Sequence, residues 1–386
     1  MSVNLLAELS RFYGGNPEYI LAGGGNTSWK NEDTLYVKGS GFSLAEASDE
    51  SFVKMDRKAL VSILEKSYPS SSAERESAVL ADMMAARKAG EGQKRPSVEA
   101  LLHDIIPFSY VVHLHPALIN GLTCSVNGEE AVREMFGGEV IWIPSINPGF
   151  ILSKSVKKEI DEFYLKKNKH AEIIFLQNHG VFAGAHSVDR VKELYSGIMS
   201  KIESRIKRKP DFSDELRITK ETSDGFLQER APAKNQISLC IDIMNVITEL
   251  AGFSAFLQSS EFFSFIDDRK SFYPVSSAFT PDHIVYAGSD PLFIEAKTAE
   301  GIREAWKDHG EKTGRNPKIT AVRGLGVFSA EKNEKAAGFA LDLFKDAVKI
   351  AVYSQNFGGP LFMTADKIDF INNWEVERFR SAVSTK

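Results

Sequence analysis

Cysteine is scarce in this chain. There are two in 386 residues, Cys124 and Cys240, far apart in the sequence. A disulfide framework is thereby excluded, and a reducing cytoplasm is the expected compartment. Long apolar runs are also missing: no window approaches the ~20 consecutive apolar residues that a membrane-spanning helix needs. The N-terminal MSVNLLAELSRFYGG lacks the basic leader, apolar run and small-residue cleavage site of a signal peptide and reads as a short amphipathic helix. Nor does one sign of charge dominate. A net charge of −5 and a pI near 6.0 give no general attraction to nucleic acid or to an anionic membrane. Two local basic clusters, Lys157 to Lys169, whose lysines alternate with acidic and apolar residues, and Arg205 to Lys209, read as a solvated helix face and a helix C-terminus.

The composition that remains, 43% hydrophobic and 26% charged, is that of a globular protein, and the length predicts two domains. Helical spacing marks residues 56–66 and 73–88, and Pro96-Ser97 ahead of apolar positions predicts a helix over 95–106. Short apolar runs at 110–115, 140–143 and 172–176 predict strands, and 187–207 a long amphipathic helix. The polar stretch after Pro210 predicts a linker, dividing the chain into residues 1–210, a linker at 211–235 and a C-terminal unit at 236–386. Residues 319–350 echo residues 173–202: strand, Gly-containing turn, Gly-Val-Phe, a break, then an amphipathic helix. The pairing sets Leu325 where His179 stands, so the C-terminal unit reads as a degenerate partial repeat without metal ligands.

Three features carry chemistry. In His113-Leu114-His115, residues i and i+2 of a strand share a face, so both imidazoles can reach one ion. His179, before a glycine at the end of another strand, is a candidate third ligand, and two near ligands plus a distant one is a spacing found in catalytic zinc sites. Neutral imidazole also suits manganese, cobalt or iron. The His-x-His pair alone is weak evidence for a metal and reads more readily as a pair of partly buried, hydrogen-bonded histidines. Next come small donors: Gly23-Gly24-Gly25-Asn26-Thr27-Ser28, Lys38-Gly39-Ser40-Gly41 and Pro96-Ser97. They match neither a dinucleotide fingerprint nor a P-loop, yet together they suit a phosphate or carboxylate. Glu99, expected one turn into the helix that begins at Pro96, is either a first-turn glutamate or a proton shuttle near a metal. His103, four residues on, is expected to pack or hydrogen bond.

Taken in order, GGGNTS, KGSG, PSVEALLH, VVHLHP and QNHGVF resemble the class II aldolase/adducin family from about Tyr19 to Ile202. The C-terminal part, with Thr280-Pro281-Asp282-His283 and Asn373-Trp374-Glu375, is similar to the region that follows the aldolase in bifunctional rhamnulose-1-phosphate aldolase/short-chain dehydrogenases. On that likeness the chain stops where the dehydrogenase would begin, and without a nucleotide fingerprint no dehydrogenase activity is expected. The resemblance implies a layered α/β/α domain with a central, mostly antiparallel sheet, followed by a smaller α/β domain. It assigns His113, His115 and His179 to zinc (Mn2+ or Co2+ in its place), Glu99 to acid/base work, and Asn26, Thr27, Ser40, Gly41 and Ser97 to the phosphate. It also implies a homo-oligomer, a tetramer by analogy, acting on a sugar phosphate with neither nucleic acid nor membrane as partner. The implied reaction is cleavage of a ketose 1-phosphate of the L-rhamnulose or L-fuculose type to dihydroxyacetone phosphate and an aldehyde, with zinc stabilising the enediolate. Epimerisation, decarboxylation and an adducin-like interaction role stay open. Two departures stand out: Val98 replaces a second serine, and residues 116–150 hold no tyrosine to serve as the aldehyde-side acid.

Overall fold

The computed structural model describes residues 2–219 and 234–384. Among the described residues twelve strands form two sheets. β1 (Asn26–Lys30), β2 (Thr34–Lys38), β3 (Phe52–Asp56), β4 (Tyr110–Leu114), β5 (Ile141–Ile143), β6 (Ile173–Leu176) and β7 (Gly180–Ala185) build a seven-stranded sheet in the order β3-β2-β1-β4-β7-β6-β5. Every pair in it is antiparallel except β5–β6. β8 (Leu216–Ile218), β9 (Phe253–Gln258), β10 (Leu292–Ile294), β11 (Ile319–Val322) and β12 (Gly326–Glu331) form the second sheet, ordered β10-β11-β12-β9-β8.

Helices cover these sheets, and local chemistry starts several of them. Asp56 accepts a hydrogen bond from the Ala59 N–H and opens Arg57–Glu65; Ser187 accepts from the Arg190 N–H and opens Val188–Glu203. The helix expected from Pro96 starts later, at Ala100. Pro96 bridges Gly39 and the Ser97 N–H donates to Lys38 O, so the backbone is tied to the end of β2 before it can coil. Glu99 therefore stands at the entrance of the helix Ala100–Ile105 rather than a turn inside it. Within the stretch expected to be a linker, Leu216–Ile218 is an edge strand paired to β9, and residues 220–233 lie outside the described residues.

The repeat is visible as topology. Hairpin β6–β7 pairs Ile173 with Ala183 and Leu176 with Gly180; hairpin β11–β12 pairs Ile319 with Ser329 and Val322 with Gly326. The two turns even share a left-handed residue, Asn178 at φ 57° and Gly324 at φ 60°. β5 joins the first hairpin in parallel as β10 joins the second, and β4 flanks β7 as β9 flanks β12. β8 lies against β9 as β1 lies against β4. The second sheet thus repeats the order and pairing sense of five strands of the first. In this register Phe256, Gln258 and Leu325 occupy the places of His113, His115 and His179. One apolar cluster runs through both copies, from Leu9, Val112 and Tyr195 to Phe262, Phe279 and Phe344. Its spine is the helix Glu334–Ser354, buried along most of its length and packed on both the helix Ala117–Thr123 and the second sheet. Among the described residues no helix is long and apolar enough to cross a membrane.

Candidate metal centre

β4 is flanked on both sides, by β1 and β7, and each of its residues is buried. His113 lies inside it, stacked on Phe182 of β7 with ring centroids 4.0 Å apart. His115 follows the end of the strand on the same face. His179 comes from the β6–β7 turn, which Asn178 holds in the left-handed conformation. The Asn178 N–H donates to Thr123 O and its side-chain amide to Leu361 O at 2.7 Å, so the turn is anchored from both halves of the chain.

The three imidazoles converge through one atom each. His113 Nε2 lies 2.9 Å from His115 Nε2 and 3.4 Å from His179 Nε2. A tetrahedral ion with metal–nitrogen bonds of about 2.0–2.1 Å separates its nitrogens by about 3.3 Å, so the spacing suits a divalent cation. The protons are also arranged for it. His113 Nδ1 faces the Val181 carbonyl at 3.1 Å, and a carbonyl only accepts, so Nδ1 carries the hydrogen and Nε2 keeps its lone pair. Burial, reinforced by His115 and His179, pushes the His113 pKa well below the usual histidine value, which keeps it in the neutral, ligating form. Among the described residues these three histidines are the group placed to hold a metal ion.

Glu99 is buried against this cluster. Its Oε1 lies 3.4 Å from His113 Nε2 and 3.5 Å from His179 Nε2. Its Oε2 accepts a hydrogen bond of 2.5 Å from the Asn26 side-chain amide, and its backbone N–H donates to Ser97 Oγ. Asn26 is brought there by the β1–β4 pairing, which sets it opposite His113. His103 does not reach this carboxylate's cavity: its Nδ1 meets Ser28 Oγ at 2.7 Å, its ring packs on Phe182, and burial together with Lys30 and Lys38 holds it neutral.

A cavity opens beside the cluster, lined by Glu99, His115 and His179 together with Asn26, Ser40, Gly41 and Ser97. One expected member is elsewhere. Thr27 points to the opposite face of β1, fully buried, with its hydroxyl 2.6 Å from Ser10 Oγ; adjacent residues of a strand cannot share a face. The backbone offers fewer donors than three glycine turns suggest, because the Gly39 and Ser40 N–H groups already bind Ser51 O and Arg95 O. A cation makes up for this. Lys38, buried at the end of β2, lines the cavity with its ammonium donating to Phe42 O at 2.8 Å. Its signal in the sequence was a lysine directly before Gly-Ser-Gly. Val98 lines the cavity too, as do Pro281, Val376 and Glu377 from the second half of the chain.

Fold and cluster together define a layered α/β protein with a three-histidine site able to coordinate a divalent metal beside a buried carboxylate, an arrangement suited to metal-dependent lyase chemistry. Residues 4–198 match the Class II Aldolase and Adducin N-terminal domain, and the chain belongs to that family. A curated relative, the uncharacterized oxidoreductase YuxG of Bacillus subtilis (strain 168), is 21% identical over 398 residues, covering 93% of this chain. This chain spans 55% of that protein's length. Among solved structures, the N-terminal class II aldolase domain of a conserved protein from Thermoplasma acidophilum is 24% identical, with a TM-score of 0.44, covering 52% of this chain and 91% of that one. A sugar-phosphate aldolase from Thermotoga maritima is 15% identical, with a TM-score of 0.37, covering 54% and 97%.

Proposed function

We propose that this chain is a metal-dependent aldolase that cleaves a ketose 1-phosphate to dihydroxyacetone phosphate and an aldehyde. The observation that carries the reading is Glu99, pinned by Asn26 with one oxygen on the histidine cluster and its side chain in a cavity lined by Lys38, Ser40 and Ser97. His113, His115 and His179 would hold a divalent cation through their Nε2 atoms, and it would supply Lewis-acid stabilisation of negative charge on the substrate, worth several kcal/mol. The Ser40 and Ser97 hydroxyls and the Lys38 ammonium hold the phosphate end, which fixes where the carbon skeleton lies. The step needs one proton moved: the hydroxyl on the carbon that becomes the aldehyde gives it up, and the carbon freed when the C–C bond breaks takes one up. Glu99, with Oε2 tied to Asn26 and Oε1 facing the cluster, is the group placed to carry it to that carbon. Zinc is the ion the donor set favours, with Mn2+ or Co2+ able to replace it. L-Rhamnulose 1-phosphate and L-fuculose 1-phosphate are the first sugars to test, and assembly into a homo-oligomer, a tetramer by family resemblance, belongs to the same reading.

The test is product analysis. Metal-loaded protein incubated with each ketose phosphate is followed by NMR, where an aldehyde with dihydroxyacetone phosphate, an epimer, and carbon dioxide with a shortened sugar are three distinct results. The reading expects the first from the loaded protein and none after His113→Ala. Full activity in metal-stripped protein defeats it.

A further inference from the structure

The second half of the chain carries other residues at the positions of all three histidines, yet it enters the site. Asp282 Oδ2 lies 2.6 Å from His115 Nδ1, across 167 positions of sequence, and Asp282 is 5% exposed. The carboxylate is placed from two sides. Behind it, Asp282 leads into the wide helical turn His283–Ala287. That turn packs on the spine helix Glu334–Ser354, where His283 Nε2 stands 3.3 Å from Asp346 and Thr280 Oγ1 lies 3.1 Å from His283 Nδ1. In front of it, the glycine loop makes room: a Cβ on Gly24 would lie 2.4 Å from Asp282 Oδ2. The backbone around His283 and the bare Cα of Gly24 thus hold one carboxylate against one ring nitrogen.

We propose that Asp282 is a positioning residue for the metal centre, contributed by the degenerate repeat to the catalytic copy. This rests on the three-histidine reading of the site. His115 Nδ1 donates its hydrogen to Asp282, which turns Nε2 toward His113 and His179 and makes that nitrogen a better electron donor to a cation. His113 receives the weaker version of the same support, from a backbone carbonyl. The copy that no longer holds an ion instead sets the geometry of the one that does.

Metal-stripped protein is titrated with Co2+, following the visible absorption of the bound ion and measuring affinity by competition with a chromophoric chelator. Asp282→Ala weakens Co2+ binding by about 10–100-fold and changes the absorption band, while Asp282→Asn, which keeps an acceptor oxygen, loses less. The thermal midpoint of each metal-free variant is recorded alongside. A lowered midpoint with wild-type affinity and spectrum means that Asp282 serves only the fold, and overturns the proposal. Should Asp282→Ala fail to fold, Asp282→Asn decides: unchanged affinity and spectrum overturn it, weaker binding upholds it. Wild-type protein that binds no Co2+ is a different result, since it removes the three-histidine site itself.

Discussion

Gly180 opens β7 directly behind the histidine pair, and adding one methyl group there tests the geometry of the centre. A Cβ at Gly180 would sit 2.5 Å from Leu114 O and 2.6 Å from His115 Cδ2. An ordinary carbon–carbon contact is about 3.5 Å, so the ring or the strand must yield by about 0.9 Å. Metal–ligand distances in a well-formed site lie within about 0.2 Å of their standard values, so a His115 ring moved by about 0.9 Å no longer matches the cluster. Gly180→Ala is expected to weaken Co2+ binding at least tenfold, comparable to losing a ligand's support, and to destabilise the fold by about 1–3 kcal/mol through overpacking. The repeat supplies the control. Gly326 is the equivalent residue of the second copy, and a Cβ there would meet Phe256 Cε2 at 2.5 Å, the ring that stands in place of His113. Gly326→Ala, at φ 153°, adds backbone strain and lowers the thermal midpoint, with metal affinity unchanged. Co2+ titration and thermal unfolding of both variants are the assay. Wild-type affinity in Gly180→Ala, or equal loss of affinity in both, refutes the reasoning.

Other expectations are shorter. Glu99→Gln keeps the shape of the side chain but cannot carry the proton, so turnover of the cleaved ketose phosphate falls about 10²–10⁴-fold; turnover near wild type would remove Glu99 from the chemistry. Lys30 is buried, its ammonium donating to His103 O and, at 2.5 Å, to Ile106 O. Burial pulls its pKa down to about 7, partly countered by Asp104. The unfolded lysine binds its proton up to its ordinary value near 10.5 while the folded one has released it, so stability contributed by this group rises with pH between about 7 and 10. Chemical denaturation across that range should show the rise in wild type and lose it in Lys30→Met; parallel curves would contradict the shift.

Local chemistry alone determined much of this protein. The His113-Leu114-His115 pair shares a face because side chains alternate along any strand. Asp56 and Ser187 start helices because their side chains reach nearby N–H groups. The hairpin repeat was legible because Gly-Val-Phe and the turn before it are short-range features. Only the tertiary structure decided the rest, because those features depend on which distant surfaces meet. Glu99 left its expected helix because Pro96 pairs with Gly39, far away in sequence. Thr27 left the cavity because the core fixes which face of β1 looks toward Ser10 and which toward Glu99. The equivalence of β9 to β4 was hidden, since Phe256 and Gln258 erased the histidines that mark the first copy. Asp282 stood in the motif Thr280-Pro281-Asp282-His283, but nothing local gave it a role at the histidines. An aspartate becomes the partner of a histidine 167 positions away only when a helical turn, a spine helix and a side-chain-free glycine bring the two together, and no periodicity in the sequence records that meeting.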